Sequence, residues 1–564
     1  MAPAVPPPSN GEIAALLREF ADLLELRGES PFRTRAYRHA ADQIGALDRP
    51  AAALAPADLQ AIEGVGKGIA ATVAEIVARG TFGTLDELRA QTPASVMRFT
   101  DIPGVGVKTA ARLYEALGVA TLPDLERAAA EGRIRAAKGL GPRVEKTVTE
   151  GLAQLAAGAG RFSIGVAWPL GALLAELLGA AAGCPVGVAG SARRMRESVG
   201  DLNLLAASAE PARVLAAFAA LPPVVRVLER GEATAAAELD RGLVARLAVV
   251  APERYGTELV RHTGSAAHLD ALRALAGGDP FAAAHATEEA FYAALDLPPI
   301  PPELREGRGE VVAARARALP ALLALDDLRG DLHAHSVWSD GASTIEEMAR
   351  AAVARGYAYL SVSDHTRSLG IANGLDPERL RDQWREIDRL NAELAPFRLL
   401  KSTEVEILRD GALDLPDAVL AELDVVVASL HSGLRGDRET VTGRLVRAMR
   451  NPHVDIIAHP SGRIVGGRAG ADYDWETVYR EAAATGTVLE INGSTERLDL
   501  SDEHARAARA RGVLLSLGSD AHQAGGLATI FYGVATARRA WAAAPDVLNT
   551  RPLGDLLACV KPRP

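Results

Sequence analysis

The sequence predicts a multidomain chain: an all-helical N-terminal region, a mixed α/β middle and a C-terminal βα-repeat barrel. Three observations predict it. The length, 564 residues, is about four times the ~150 of a typical domain. Near Val166 glycine-punctuated helical stretches give way to short apolar runs alternating with helices. From Asp331 onward strand-like runs alternate with helices, and each run ends in a polar cluster, the pattern of a βα barrel with its chemistry at the C-terminal strand ends.

Composition narrows the class. Hydrophobic residues make up 48% and charged residues 24%, which is globular rather than disordered. The net charge of −10, from 62 Lys plus Arg against 72 Asp plus Glu, speaks against a basic coating for nucleic acid. Aromatics at 4% disfavour an extended base-stacking platform. Two cysteines, Cys184 and Cys559, cannot make a disulfide framework or a cysteine zinc site, so a reducing, cytoplasmic setting is expected. The N-terminus, MAPAVPPPSN, has neither a basic region nor an apolar core, unlike a signal peptide. The stretch from Pro169 to Gly190 is long enough for a membrane span, yet it holds Glu176, Gly171, Gly179, Gly183 and Pro185. A soluble Ala/Leu helix followed by a strand is expected there, with no membrane association.

The elements follow in order. Leu16, Leu17, Phe20, Leu23 and Leu24 recur at helical spacing in the first ~160 residues. Val186-Gly-Val-Ala-Gly, Leu202-Asn-Leu-Leu and Leu243-Val-Ala-Arg-Leu-Ala-Val-Val read as strands of the middle region. Residues 297–309, LPPIPPELREGRG, read as a connection. Ala358–Val362, Val425–Ser429, Ile456–Ala458, Val488–Ile491 and Leu514–Leu517 read as barrel strands.

A small motif recurs in the helical region. It reads Ile62-Glu-Gly-Val-Gly-Lys-Gly-Ile-Ala, then Ile102-Pro-Gly-Val-Gly-Val-Lys-Thr-Ala and, more weakly, Ala137-Lys-Gly-Leu-Gly-Pro-Arg-Val. Paired glycines allow a tight turn and close approach of backbone to a ligand, and the free N–H groups of the next helix start can hold a phosphate oxygen. One Gly-x-Gly is an ordinary helix cap. Two near-identical copies resemble helix-hairpin-helix motifs, which hold the DNA backbone without reading sequence. The resemblance implies DNA contacts at Gly64, Gly66, Lys67, Gly104, Gly106 and Lys108, and at Gly139 and Gly141 of the third copy, where Pro142 removes one donor and Lys146 adds a cation. Backbone dipoles plus a few cations need no strongly basic domain.

The middle region carries Gly190-Ser-Ala-Arg-Arg194 and then Val199-Gly-Asp-Leu-Asn-Leu-Leu205. Gly-Ser-x-Arg-Arg followed by Gly-Asp-x-Asp is the palm signature of family X DNA polymerases. Thr263-Gly-Ser265 with His268, and Pro301-Pro-Glu-Leu-Arg-Glu-Gly-Arg-Gly309, also resemble that family. With hairpins before and a barrel after, the chain resembles its bacterial form, which ends in a PHP (polymerase and histidinol phosphatase) domain. The resemblance implies an 8-kDa-like domain over 1–90, a fingers-like domain over 91–160, and a nucleotidyltransferase palm and thumb over 161–310. A linker over 311–327 and a distorted TIM-like (β/α)7 PHP barrel over 328–564 complete it.

Two-metal nucleotidyl transfer needs about three carboxylates around two Mg²⁺ or Mn²⁺ ions. The first two stand two apart on one strand because period-2 side chains share a face. This sequence keeps Asp201 as the catalytic carboxylate but has Asn203 next, and gap-free placement on Val249-Val250 puts Arg246 at the third position. Glu238 or Asp240 substitutes if that placement is off. A weak or inactive palm is expected, in which Ser191 and Arg194 still match the family's triphosphate contacts for a deoxynucleoside triphosphate. The family's Schiff-base lysine for lyase chemistry falls on Thr72, which cannot form an imine, so that activity is not expected.

Eight of the 12 histidines lie after Asp331, six of them in polar clusters. The clusters are Asp331-Leu-His333-Ala-His335, Ser339-Asp340-Gly, Ser363-Asp364-His365-Thr, Glu404-Val-Glu406, Ser429-Leu-His431-Ser, Ala458-His459-Pro and Gly518-Ser-Asp520-Ala-His522. His-x-His and Asp-x-His turn both side chains to one face of a strand. Such N/O ligands suit two or three Mn²⁺, Zn²⁺ or Fe²⁺ ions with positions left for water. By resemblance to PHP motifs the ligands are His333, His335, Asp340, His365, Glu404, His431, His459, Asp520 and His522, with Glu404 preferred over Glu406. Asp364 is expected to orient His365 or assist proton transfer, and His333 and His335 to be catalytic. His453 and His504, outside the clusters, read as structural. Trp338 either stacks on a terminal base or packs on the barrel, and Arg463 and Arg468 either clamp a phosphate or face solvent. Without a phosphate loop, serine nucleophile or reactive cysteine, metal-activated water is the expected nucleophile. The resemblance implies a Mn²⁺-favouring 3′–5′ exonuclease acting in DNA repair on gapped, nicked or 3′-ended DNA, as a monomer. A gap-filling polymerase and a small-molecule phosphoesterase are the alternatives.

Overall fold

The computed structural model describes residues 8, 10–27, 29, 31–45, 47, 49–62, 64–91, 94–102, 104–158, 160–239 and 242–560. Asp240, and most of the N-terminal stretch read for a targeting signal, lie outside these. The chain divides into two compact units, Met1–Ala159 and Gly160–Pro564.

The described residues of the first unit are helical or in turns. Helices Asn10–Leu26, Pro31–Gly45 and Lys67–Arg79 bury Leu17, Phe20, Ala40, Val73 and Ile76 in one core. Helices Val107–Leu117, Leu122–Ala130 and Pro142–Gly158 bury Leu113, Leu125 and Val148 in another. The three glycine motifs repeat in geometry as they do in sequence. Val65 N donates to Ile62 O at 3.0 Å, Val105 N to Ile102 O at 2.9 Å and Leu140 N to Ala137 O at 3.2 Å. The turn requires φ of +75° at Gly64, +84° at Gly104 and +83° at Gly139, a region in which a Cβ is strained. The carbonyls of Gly66, Gly106 and Gly141 then accept from Ala70 N, Ala110 N and Glu145 N at 2.9, 2.9 and 3.1 Å, opening a helix each time.

The second unit begins with β1 (Phe162–Ser163), β2 (Val186–Ala189), β3 (Ser198–Val199), β4 (Asp201–Ala207), β5 (Val224–Arg230), β6 (Thr234–Leu239) and β7 (Val244–Val250). β1 pairs antiparallel with β3. The palm sheet runs β2-β4-β7-β6-β5, with β4 and β7 parallel and the other pairs antiparallel. β5 and β6 have no counterpart among the strands read from the sequence. Helix Ile164–Ala182 packs Ile164, Ala167, Leu174 and Leu178 into the palm core. It is the one described helix long and apolar enough to cross a membrane, and β2 follows it as the composition of Pro169–Gly190 predicts.

Seven parallel strands follow in chain order: β8 (Gly330–Ala334), β9 (Tyr359–Val362), β10 (Arg398–Glu406), β11 (Val425–Ser429), β12 (Ile456–Ile457), β13 (Val488–Asn492) and β14 (Leu515–Gly518). The ring is nearly closed by a parallel bridge between Ala334 and Ala521, with Asp520 N donating to His333 O at 2.9 Å. The pleat explains how one strand serves both core and chemistry. Leu400, Val425, Val427, Ile456 and Val488 share one buried cluster with Leu556 of the closing helix Leu553–Cys559. The same parity further along carries Glu404, His431, Ala458 and Glu490. The opposite parity, Val405, Val426, Ala428, Ile457 and Leu489, packs against the outer helices.

The palm and barrel share cores. Leu498 and Ala535 of the barrel region lie in the palm core, and Trp541 lies with Val260, Phe291 and Val311 in a separate buried cluster. Helix Glu310–Arg315, at the edge of the expected linker, buries Val311 and Ala314 there.

Candidate functional site

All nine residues expected as metal ligands meet at the C-terminal end of the barrel. Glu404, 1% exposed, stands at the centre. His365 Nδ1 lies 2.8 Å and His335 Nε2 3.6 Å from its Oε2, and His459 Nε2 lies 2.8 Å and His431 Nε2 3.4 Å from its Oε1. Asp520 Oδ1 lies 3.2 Å from His335 Nε2 and 3.8 Å from His333 Nε2. Asp340 faces His365, His522 and His335 at 3.5, 3.5 and 3.9 Å. Three donor groups result: His335, Asp340, His365 and His522; His333, His335 and Asp520; His365, Glu404 and His431. A cavity of about 340 Å³ opens over them, lined also by Leu369, Ala372 and Arg497.

Outer carboxylates aim the imidazoles. His333 Nδ1 sits 2.7 Å from Glu490 Oε1 and His431 Nδ1 2.8 Å from Glu406 Oε2, which leaves Nε2 of each for the cavity. His522 Nδ1 does the same against the Asp520 carbonyl at 2.8 Å. Glu490 is not legible from a motif, since its partner is 157 residues away; the signal was Glu490-x-Asn492, two polar groups on the inner face of an apolar strand. His459 and Asp520 hold positive φ of 28° and 55°, backbone strain of the kind that collects at functional sites.

The charge balance favours cations. Burial opposes ionisation of Glu404 and Asp520, but the surrounding histidines hold both well below the ordinary carboxylate range. Burial and the neighbouring His365 push His335 down to about 3, so its imidazole is neutral and its lone pair available. Burial opposes charge on His365, yet Glu404 and Asp340 raise it to about 10. His335 Nδ1 and His459 Nδ1 are buried with no hydrogen-bond partner. Orphaned donor atoms of this chemistry fit divalent ions.

Other expected residues are turned elsewhere. Asp364 does not orient His365. Its carboxylate accepts from Ser336 N at 2.8 Å, Ser336 Oγ at 2.6 Å, Gln383 Nε2 at 2.6 Å and Ser339 Oγ, so it holds the loop that carries Asp340. Trp338 packs on the barrel core and donates its indole N–H to Glu386 at 2.8 Å. Arg463 is committed to Glu197 at 2.7 Å and to the Arg497 carbonyl at 3.0 Å, and Arg468 Nε donates to the Gly462 carbonyl at 2.9 Å. His504 Nδ1 lies 2.6 Å from Tyr479 Oη, under Trp475, and His453 is buried.

In the palm, Asn203 of β4 and Arg246 of β7 are paired directly across the sheet. Arg246 Nε lies 3.1 Å from Asp201 Oδ2 and Asn203 Nδ2 lies 3.0 Å from Asp201 Oδ1. The carboxylate thus faces a guanidinium and an amide where metal ligation needs acids. Glu238 is taken by Arg226 at 2.6 Å. Arg194 is turned inward, with Nε 3.0 Å from Glu306 and Nη1 donating to the Thr263 carbonyl at 2.6 Å. Ser191 lies half-buried in the turn Gly190–Arg193.

In the first unit Gly64, Gly66, Lys67, Gly104, Gly106, Lys108 and Gly139 are exposed and Gly141 is half-buried. The hairpins therefore present their helix starts to solvent. Thr72 spends its hydroxyl on the Gly68 carbonyl at 3.1 Å.

Residues 8–82 match the helix-hairpin-helix domain family, and residues 57–117 and 96–154 match the SAM-like helix-hairpin-helix tandem family. The chain is 37% identical over 569 residues to the DNA polymerase/3′-5′ exonuclease PolX of Bacillus subtilis, covering 98% of this chain and 99% of that protein. Its C-terminal part is similar to shorter proteins. A probable phosphatase of Syntrophotalea carbinolica is 32% identical over 229 residues, covering 39% of this chain and 90% of that protein. Another, of a Thermoanaerobacter species, is 34% identical over 205 residues, covering 34% of this chain and 78% of that protein. Hairpins, palm and histidine-rich barrel stand in one order along a chain matched from end to end, and this protein belongs to the bacterial family X DNA polymerases that carry a C-terminal PHP domain.

Proposed function

We propose that this chain binds the backbone of gapped or broken DNA through its hairpins and shortens 3′ ends by metal-dependent phosphodiester hydrolysis in the barrel, its palm being weak or inactive for nucleotidyl transfer. The observation that carries the reading is the gathering of nine N/O donors from separate strand ends into three overlapping groups under one cavity. Of these overlapping groups, His333, His335 and Asp520 would hold one ion and His365, Glu404 and His431 a second, with Asp340 and His522 beside His335 and His365 and His459 on the second carboxylate oxygen of Glu404. Mn²⁺ suits this mixed imidazole and carboxylate set, as do Zn²⁺ and Fe²⁺. When bound, such ions lower the pKa of water and neutralise the leaving oxygen. The protein's part is to keep His335 neutral, to aim His333 and His431 through Glu490 and Glu406, and to hold the Asp340 loop through Asp364.

The palm part of the reading rests on Arg246 and Asn203, which together occupy both oxygens of Asp201. The hairpin part rests on exposed helix starts that offer backbone N–H groups to phosphate. A cytoplasmic setting and a monomeric state belong to the same proposal.

Labelled gapped DNA with Mn²⁺, with and without deoxynucleotides, tests it. Shortening without extension is expected, and His333→Ala with His335→Ala abolishes shortening while DNA binding persists. Robust extension that disappears in Asp201→Ala overturns the inactive palm, and deoxynucleoside triphosphates then join the substrates. No change in DNA length, with release of phosphate from a small phosphomonoester, favours the second reading. The phosphatase-named relatives of the barrel motivate that one.

A further inference from the structure

Arg497 lines the barrel cavity, and its Nε lies 3.3 Å from Asp520 Oδ2. No sequence motif marked it. It sits on the loop from Gly493 to Asp499 that follows β13, and the palm grips that loop at three points. Glu197, four residues before Asp201, binds Arg463 Nη1 at 2.7 Å. Arg463 then donates Nε to the Arg497 carbonyl at 3.0 Å and Nη2 to the Leu498 carbonyl. Leu498, 2% exposed and with φ of 44°, has its side chain in the palm core. Gly165, in the first turn of the palm helix, runs so close to Thr495 that a Cβ there would lie 2.6 Å from its side chain. On the barrel side the loop is tied by Val465 N to the Glu496 carbonyl at 2.7 Å and by Gly462 N to Asp499 at 2.8 Å.

Two further cations, Arg468 and Arg435, act electrostatically in the neighbourhood of Arg497. Burial, Arg497 and Arg435 together lower the Arg468 guanidinium from its ordinary value. A like-charged group held beside a cavity is stable when an anion joins it. Nothing in the barrel alone demands the Glu197 contact, since Glu197 belongs to the turn between the palm signature and β3.

We propose that the palm serves the nuclease as a buttress: through Glu197, Arg463 and Leu498 it holds the 493–499 loop so that Arg497 stands over the cavity and receives a non-bridging oxygen of the scissile phosphate. This rests on the nuclease reading of the barrel. It gives the palm a role that survives the loss of its carboxylates. Glu197 and Arg463 are positioning residues that act through Arg497.

The test uses the full chain and three readouts. These are hydrogen exchange of amides 493–499 in metal-free protein, affinity for thymidine 5′-monophosphate with Mn²⁺, and kcat and KM on a 3′-labelled oligonucleotide. Arg497→Ala is expected to weaken nucleotide binding and lower kcat/KM by roughly 100-fold, as for loss of one preorganised donor, with partial rescue by added guanidinium. Glu197→Gln is expected to speed exchange of the loop and lower kcat/KM by about tenfold, the cost of a misplaced group, and Glu197→Asp to recover most of it. Unchanged loop exchange and KM in Glu197→Gln overturn the buttress, and full nucleotide affinity in Arg497→Ala overturns the phosphate contact. Shortening that survives in His333→Ala with His335→Ala sinks the nuclease reading instead. The two failures are distinguishable, because loop exchange is read without metal.

Discussion

At the scale of single residues, an arginine set against the Asp201 carboxylate does more than occupy a strand position. Arg246 is 51% and Asp201 37% exposed in their ion pair, so the pair adds at most about 1 kcal/mol to stability. Its effect is on the site, where a fixed cation stands on the remaining carboxylate. Restoring the acids by Asn203→Asp with Arg246→Asp is expected to raise Mn²⁺-dependent primer extension on gapped DNA at least ~10-fold, given that two-metal transfer depends on those charges. Extension that stays at the level of the unaltered chain would show that the palm lost more than its ligands. The inward turn of Arg194 onto Glu306 is where such a second loss would lie. The strand that carries Arg246 was legible from the sequence because apolar residues flank the arginine on both sides. The orientation of Arg194 was not, because Glu306 is 112 residues away. Glu490 escaped for the same reason, while the meeting of His333 with His335 was legible because period-2 spacing announces a shared face, and the other expected ligands came from the resemblance.

At the scale of elements, the glycine hairpins and the barrel strands were readable because each has a local signature. Two palm strands were not. β5 is exposed along almost its whole length and is bulged twice, between Val224 and Arg226 and between Val227 and Glu229, so no alternation of apolar and polar residues survives. Such bulges also protect an edge strand from pairing with another chain. β6, Thr-Ala-Ala-Ala-Glu-Leu, is alanine-rich and favours helix by propensity, yet it lies between β5 and β7 with Ala235, Ala236 and Ala237 buried. Tertiary pairing overrides propensity there. The hairpins carry a prediction of their own. In the proposed grip through backbone N–H groups, exposed Lys67 and Lys108 contribute charge rather than geometry. Lys67→Ala and Lys108→Ala are each expected to flatten the salt dependence of gapped-DNA binding by about 0.9 in log K against log salt, with preference for gapped over intact duplex unchanged. Fluorescence anisotropy across a salt series measures both, and loss of the preference would mean that the lysines place the DNA instead of merely attracting it.

At the scale of the whole molecule, a net charge of −10 is spent partly on the barrel ligands and partly on a buried seam between palm and barrel. Arg539, 3% exposed at the end of helix Ile530–Arg539, donates to the Arg194 carbonyl at 2.6 Å, to Glu306 at 2.9 Å and to Asp502 at 2.9 Å. Arg308 joins Asp502 at 2.8 Å. Burial opposes ionisation of Glu306 and Asp502, but Arg539 with Arg194 holds the first below its ordinary value, and Arg539 with Arg308 holds the second below its own. Their contribution is therefore present above the ordinary carboxylate range and lost as pH falls through the lowered values. Removing one member of such a buried network leaves the others uncompensated, at a cost of roughly 3–5 kcal/mol. Arg539→Met keeps the volume and removes the charge. In the unaltered chain β4 of the palm and β14 of the barrel are expected to open together in native-state hydrogen exchange. In Arg539→Met, β4 is expected to open about 3 kcal/mol more easily while β14 keeps most of its protection, and toward acid the unaltered chain is expected to approach the variant as Glu306 and Asp502 protonate. Equal loss in both strands would mean that Arg539 supports one common core. Separate loss would mean that a charged seam, placed by residues far apart in sequence, makes a polymerase-like palm and a nuclease barrel into one cooperative unit.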